Sequence, residues 1–318
     1  VTRYQKLVST PEGPAKGVRN PQQQPVLRWV RFTVGHPKLL KAMLEVLEQQ
    51  KYWIEIAEPV YHIDLHHDDK PMFADEWLPN DTLFRAQWHY HNTGQTGGTA
   101  DADIDLPEAW SIEKGHPSVV VAIMDNGIDI THPDLRPNLW ARRGFNFVNN
   151  QNALVPGNHG NHVAGTIGAV SNNITHVAGV AGGDGSAGSG IRLMSCQIFS
   201  PSGSGGGVEN ALVYSADNGA AISHNSWGFS QPGVFNQSTL DAIDYFIENG
   251  GGGVMDKGLV IFSGGNRNEY TQFWPGVYHR VIGVSGTTHR DTKAWYSTFH
   301  EKLDIAAPGG ETNTTSGG

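Results

Sequence analysis

Past residue 75 the chain is written in short apolar runs separated by Gly, Asn and Asp, with helix-period stretches between them. Runs at Ser118–Met124, Ile191–Phe199, Ala220–His224, Leu259–Phe262, Val281–Val284 and Leu303–Ala306 predict strands. The three-to-four-residue spacing of apolar positions predicts helices over His162–Val170, Val208–Asn218 and Ser238–Glu248. The strands do not alternate strictly and each is reached through a helix, which predicts an α/β fold with a mostly parallel sheet covered on both faces. Ligands of such sheets bind outside the carboxyl ends of the strands, so chemistry is expected there.

The N-terminal stretch reads differently. Residues 1–25 are rich in Pro, Gln and Gly and show no period, as a linker does. Val26–Val34 and Trp53–Leu65 have strand character, and Pro37–Gln49 carries the apolar stripe of an amphipathic helix. Residues 26–70 therefore predict a small β-α-β unit, closed by the polar junction His66–Pro71 and followed by a second domain over residues 75–318.

Composition narrows the functional classes. The net charge is −9 and lacks the basic footprint of a nucleic-acid binder. The longest apolar stretches, such as Val119–Met124, fall far short of the ~20 residues that span a bilayer. Cys196 is the one cysteine; it can form no intrachain disulfide, and its apolar surroundings predict a core position.

Several segments bring polar residues to places where chemistry is done. Val119–Met124 delivers Asp125 to a strand end, where it fits either a turn or an acid that orients a base. His159-Gly160-Asn161-His162 opens a helix; the two histidines fit a metal site, a catalytic base or a structural role. Leu259–Phe262 leads to Ser263-Gly264-Gly265-Asn266, where the amide of Asn266 fits a turn or a donor to a developing oxyanion. Three other patterns lead nowhere: Gly183–Gly188 precedes a strand instead of a helix, and neither a Gly-x-Ser-x-Gly elbow nor a Gly-Lys pair occurs.

Taken in order with Ser226-Trp227-Gly228, His132-Pro133-Asp134-Leu135, Gln87-Trp88, Ala109-Trp110 and Ala307-Pro308-Gly309, these segments resemble the subtilisin-like serine proteases from about Pro79 to Gly309. The resemblance implies a three-layer fold and a peptidase acting on peptide or protein substrates. It makes Asp125 the triad acid, His159 the base and Asn266 the oxyanion donor. Ser226, Trp227 and Gly228 become a groove wall, and Ser263 and Gly264 line the pocket for the side chain before the scissile bond. It further implies calcium at Asp81, Asp134, Asn173, Thr175 and Val177, secretion, and an inhibitory propeptide of which residues 26–70 are a part. Because the family's Gly-Thr-Ser-Met-Ala stretch does not occur, the nucleophilic serine is expected beyond Gly318 and the chain is expected to be an inactive precursor fragment. Two other readings stay open: a pseudoprotease that binds peptides uncut, and a metal-dependent hydrolase using His159, His162 and Asp125.

Overall fold

A computed structural model describes residues 76–310 and, before them, residues 3–6, 30–33, 44–47 and 49. The chain divides into two units, Val1–Lys70 and Pro71–Gly318. In the first, strand β1 (Arg3–Lys6) pairs antiparallel with β2 (Val30–Thr33), and residues 44–47 form a helical turn. A strand at Arg3–Lys6 lies inside the range read as linker. The expected strand Trp53–Leu65 and the junction His66–Pro71 lie outside the described residues.

The second unit is built on a seven-stranded sheet of order β4-β5-β3-β6-β7-β8-β9, with every neighbouring pair parallel. Its strands are β3 (Val120–Asp125), β4 (Leu139–Asn146), β5 (Arg192–Gln197), β6 (Ile222–Asn225), β7 (Leu259–Ser263), β8 (Ile282–Thr287) and β9 (Ile305–Pro308). The helices are α1 (Leu106–Trp110), α2 (Asn158–Gly168), α3 (Val208–Asp217) and α4 (Gln237–Asn249).

All six residues of β3 are buried, and their alternation assigns the two faces. Val120, Ala122 and Met124 join Leu212 of α3 and Ile243 and Phe246 of α4 on one side, where Cys196 is also enclosed. Val121 and Ile123 join Leu193 and Ala164 of α2 on the other. The result is a three-layer α/β fold in which burial of the central strands β3 and β5 on both faces removes any reason for polar alternation within them. A smaller cluster of Phe84, Tyr90, Leu106, Trp110 and Ala178 ties residues before the sheet to the loop after α2. Gln87 anchors it, exchanging hydrogen bonds of 2.8 Å with both backbone groups of Ala178.

Candidate active site

β3 ends on Asp125 at the carboxyl edge of the sheet, and Gly127 turns the chain there with φ +96°. A Cβ on Gly127 would stand 2.2 Å from the carbonyl of Val155, so only glycine fits. The first turn of α2 docks against this bend. Gly157 and Gly160 make the approach possible, since a Cβ on Gly160 would lie 2.5 Å from the Gly127 carbonyl. The Gly160 N–H donates to Asn126 Oδ1 at 2.8 Å, giving the helix start a side-chain acceptor.

This docking fixes His159. Its Nδ1 lies 2.8 Å from both carboxylate oxygens of Asp125, which is 4% exposed. A carboxylate only accepts, so Nδ1 carries the proton and Nε2 of the neutral ring is left to take one. The hydrogen bond to Asp125, with its charge, raises the His159 pKa above the usual 6.5 against the opposing effect of burial. His162 is exposed on the next turn of α2 and acts instead on His89, whose pKa is pushed down to about 4 by burial and then by His162. Among the described residues no three His, Cys, Asp or Glu side chains stand together as a metal site.

Two cavities meet at Ser226 and Trp227. One, of about 250 Å³, is lined by Asp125 and His159 together with Asn126, Ser200 and the shared pair. The other, of about 410 Å³, is lined by Ser263, Gly265, Asn266 and Phe273 together with the same pair. Gly228 lets this wall approach Phe273, where a Cβ would stand 2.2 Å from the ring. Gly264 is buried behind the second cavity and donates its N–H to the Val284 carbonyl at 2.7 Å. Thus Asp125 and His159 line one cavity and Asn266 and Ser263 the adjoining one, with Ser226 and Trp227 common to both, while Gly228 and Gly264 line neither.

β6 contributes residues that the sequence did not single out. Ser223 is fully buried, and its Oγ accepts from Asn225 Nδ2 at 3.0 Å. His224 Nε2 lies 3.0 Å from the Ser226 hydroxyl, and burial pushes the His224 pKa down to about 4, with His159 adding to the fall and Asp125 opposing it. His224 is a neutral neighbour of the acid–base pair near pH 7. Its place at the end of the Ala220–His224 run, one residue before Asn225-Ser226-Trp227, was the available signal.

The aspartates of the expected calcium site are brought together beside this body. Asp81 and Asp134 are 5% and 1% exposed, and burial raises both pKa values. Asn173 Nδ2 donates to Asp134 Oδ1 at 2.6 Å, and Thr175 N–H donates to Asn173 Oδ1 at 2.8 Å. Asp81 Oδ1 and Asp134 Oδ2 are buried without a hydrogen-bond partner.

The Subtilase family profile matches residues 116–318, which is more than half of the sequence. The chain belongs to the Subtilase family. It is 30% identical over 283 residues to a thermophilic serine proteinase of Bacillus sp. (strain AK1), covering 88% of this chain and 60% of that protein. It is also 30% identical over 236 residues to thermitase of Thermoactinomyces vulgaris, covering 73% and 74% of the two chains. A protease structure from Pseudoalteromonas arctica superposes with a TM-score of 0.59 at 27% identity over 74% of each chain.

The chain spans 60% of the length of the Bacillus proteinase, and what the matches establish is membership of the Subtilase (peptidase S8) family. The expectation of an inactive fragment whose serine lies beyond Gly318 is corrected by the geometry. Asp125 is locked to His159 within the chain, with Ser223 buried on the neighbouring strand and Ser226 lining the same cavity as the pair. Ser316 lies outside the described residues.

Proposed function

We propose that this chain is a serine endopeptidase that hydrolyses peptide bonds in the groove between α2 and the ends of β3, β6 and β7. The observation that carries the reading is the pair of 2.8 Å contacts between His159 Nδ1 and Asp125. In this role Asp125 fixes the imidazole tautomer and stabilises its cation, and His159 Nε2 takes the proton of a serine hydroxyl attacking the substrate carbonyl. The Asn266 amide donates to the oxyanion that develops. Ser226 and Trp227 line one side of the extended substrate, with Gly228 continuing that wall, while Ser263 lines the pocket for the side chain preceding the scissile bond and the buried Gly264 supports it.

Residues 26–70 act, in the same proposal, as part of an inhibitory propeptide, a reading supported by family resemblance. Secretion rests on the habit of the family. Among the described residues no helix is long and apolar enough to cross a membrane.

Calcium is proposed at Asp81, Asp134, Asn173, Thr175 and Val177. The unpartnered buried oxygens of Asp81 and Asp134 fit a hard cation that accepts several oxygen ligands. Bound there, calcium would neutralise two buried carboxylates and tie the loop after α2 to the segment around Asp81.

A fluorophosphonate probe and a casein digest test the activity. The purified chain is expected to cleave casein and to take up one probe molecule on a serine, identified by peptide mapping. His159→Ala is expected to abolish both, as loss of a triad base costs on the order of 10⁶ in turnover in a member of this family. A folded chain that binds peptides but neither cuts them nor reacts with the probe overturns the proposal.

A further inference from the structure

The pocket beside Asn266 has a charge that the mechanism does not use. Of the residues lining that cavity of about 410 Å³, Arg267 alone is charged, and it directly follows Asn266. Its backbone N–H donates to Thr298 Oγ1 at 3.0 Å, and its Nη2 donates to the carbonyl of Ser230, which lines the same cavity. The first bond fixes the backbone at Arg267, and the second tethers the guanidinium through one nitrogen. Among the described residues Arg267 has no carboxylate partner in any ion pair.

The rest of the lining suits an arm that ends in an anion. The Phe273 ring is packed between two glycines: a Cβ on Gly228 or Gly265 would stand 2.2 Å or 2.6 Å from it. It gives methylene groups an apolar surface. Ser263 Oγ accepts from the Gly265 N–H at 3.1 Å, which leaves its own O–H to donate. No lining residue is acidic. The whole chain has a net charge of −9, so attraction of an anionic side chain is local to this pocket and not a property of the overall field.

From this lining we infer that Arg267 is a specificity-determining residue that selects peptides with a glutamate immediately before the scissile bond, its carboxylate meeting the Arg267 guanidinium and the Ser263 hydroxyl. The inference rests on the proposed peptidase reading for the direction in which substrate lies. A guanidinium and a carboxylate match as planar groups, so the pairing is directional as well as ionic. Lysine at the same substrate position meets a like charge.

The test is a peptide series identical except for Glu, Gln, Lys or Phe before the cleaved bond, read as kcat/KM on the full chain. Glu is expected to exceed Gln by roughly tenfold, with Lys lowest, and the Glu-to-Gln ratio is expected to shrink in 1 M salt. Arg267→Gln should flatten the series and Arg267→Glu should place Lys above Glu. Because Arg267 is exposed, both variants should keep the thermal midpoint of the parent. Binding of product peptides ending in Glu, Gln or Lys, read by calorimetry, follows the same order without requiring cleavage. Cleavage with no preference for Glu, or a ratio unchanged in Arg267→Glu, overturns the inference alone. Absent cleavage with Glu-selective binding that Arg267→Glu reverses overturns the peptidase reading and leaves the pocket assignment standing.

Discussion

At the scale of residues, the Asp125–His159 contact sets both the direction and the pH range of proton transfer. The His159 pKa lies above 6.5 because the charged ring is favoured by Asp125. Its base form is therefore lost as pH falls through that raised value, and hydrolysis should decline on the acid side at a pH above 6.5. The linkage to stability has the opposite sense: this contribution is fully present below the unfolded value of about 6.5 and disappears as pH rises through the folded one. Asp125→Asn removes the cause. It should lower the His159 pKa in an NMR titration and reduce turnover by roughly 10⁴-fold; a titration curve that does not move would show that Asp125 does not govern the ring. Asp125 and His159 could be found in the sequence because each stands where an apolar run or a helix meets glycine. His224 is less legible: the run that ends on it shows a strand end beside Ser226, but the charges it faces are supplied by β3 and by the first turn of α2, far away along the chain. Arg267 is not legible in the sequence for a similar reason: the pocket that gives its charge meaning forms only when β6 and β7 lie side by side.

At the scale of elements, the site depends on how closely α2 approaches the bend after β3, and two glycines of that one helix make the dependence measurable. A Cβ on Gly160 would press into the Gly127 carbonyl, whereas a Cβ on Gly165 would meet nothing within 4 Å. Gly160→Ala should therefore destabilise the fold by about 1–3 kcal/mol and displace His159. Gly165→Ala should stabilise it by roughly 0.5–1 kcal/mol, since alanine loses less backbone entropy in a helix interior. Urea midpoints of the two variants should move in opposite directions; movement in the same direction would show that docking against β3 does not limit α2. The strands most legible in the sequence, β3 and β5, are those with both faces covered, whereas β9 is legible from its apolar run although Ile305 and Ala306 are exposed. β4 escaped notice because Ala141, Arg142 and Arg143 are exposed and its register with β5 shifts between Leu139 and Gly144. At α2 the predicted helix began late, at His162, because Asn158-His159-Gly160 has no apolar residue to start a period. Its start is set by docking and by the Asn126 side chain, which are tertiary features.

At the scale of the whole molecule, the proposed cation would join parts that the sheet does not. Asp81 lies before the first strand of the sheet and Asp134 between β3 and β4, while Asn173 and Thr175 belong to the loop that runs from α2 toward β5. That loop already leans on the early segment: the Leu83 N–H donates to the His176 carbonyl at 2.7 Å and the Asn172 N–H to Asp81 Oδ2 at 2.6 Å. Two carboxylates buried with an orphaned oxygen each oppose this arrangement, because desolvated charge without a partner is costly. A divalent ion reverses the sign of their contribution and closes the loop that continues from α2, the helix bearing His159. Calcium at about 100 times its dissociation constant should thus add roughly 2.7 kcal/mol to stability, which for a body of this size is a rise in Tm of about 5–10 °C. A thermal scan with calcium and with a chelator reads this directly. Asp134→Asn should lose the calcium-dependent part while leaving the chelated protein no less stable, since the amide brings no buried charge. If calcium leaves Tm unchanged in the parent, or raises it equally in Asp134→Asn, the cation lies elsewhere and these two carboxyls must be held protonated in the fold.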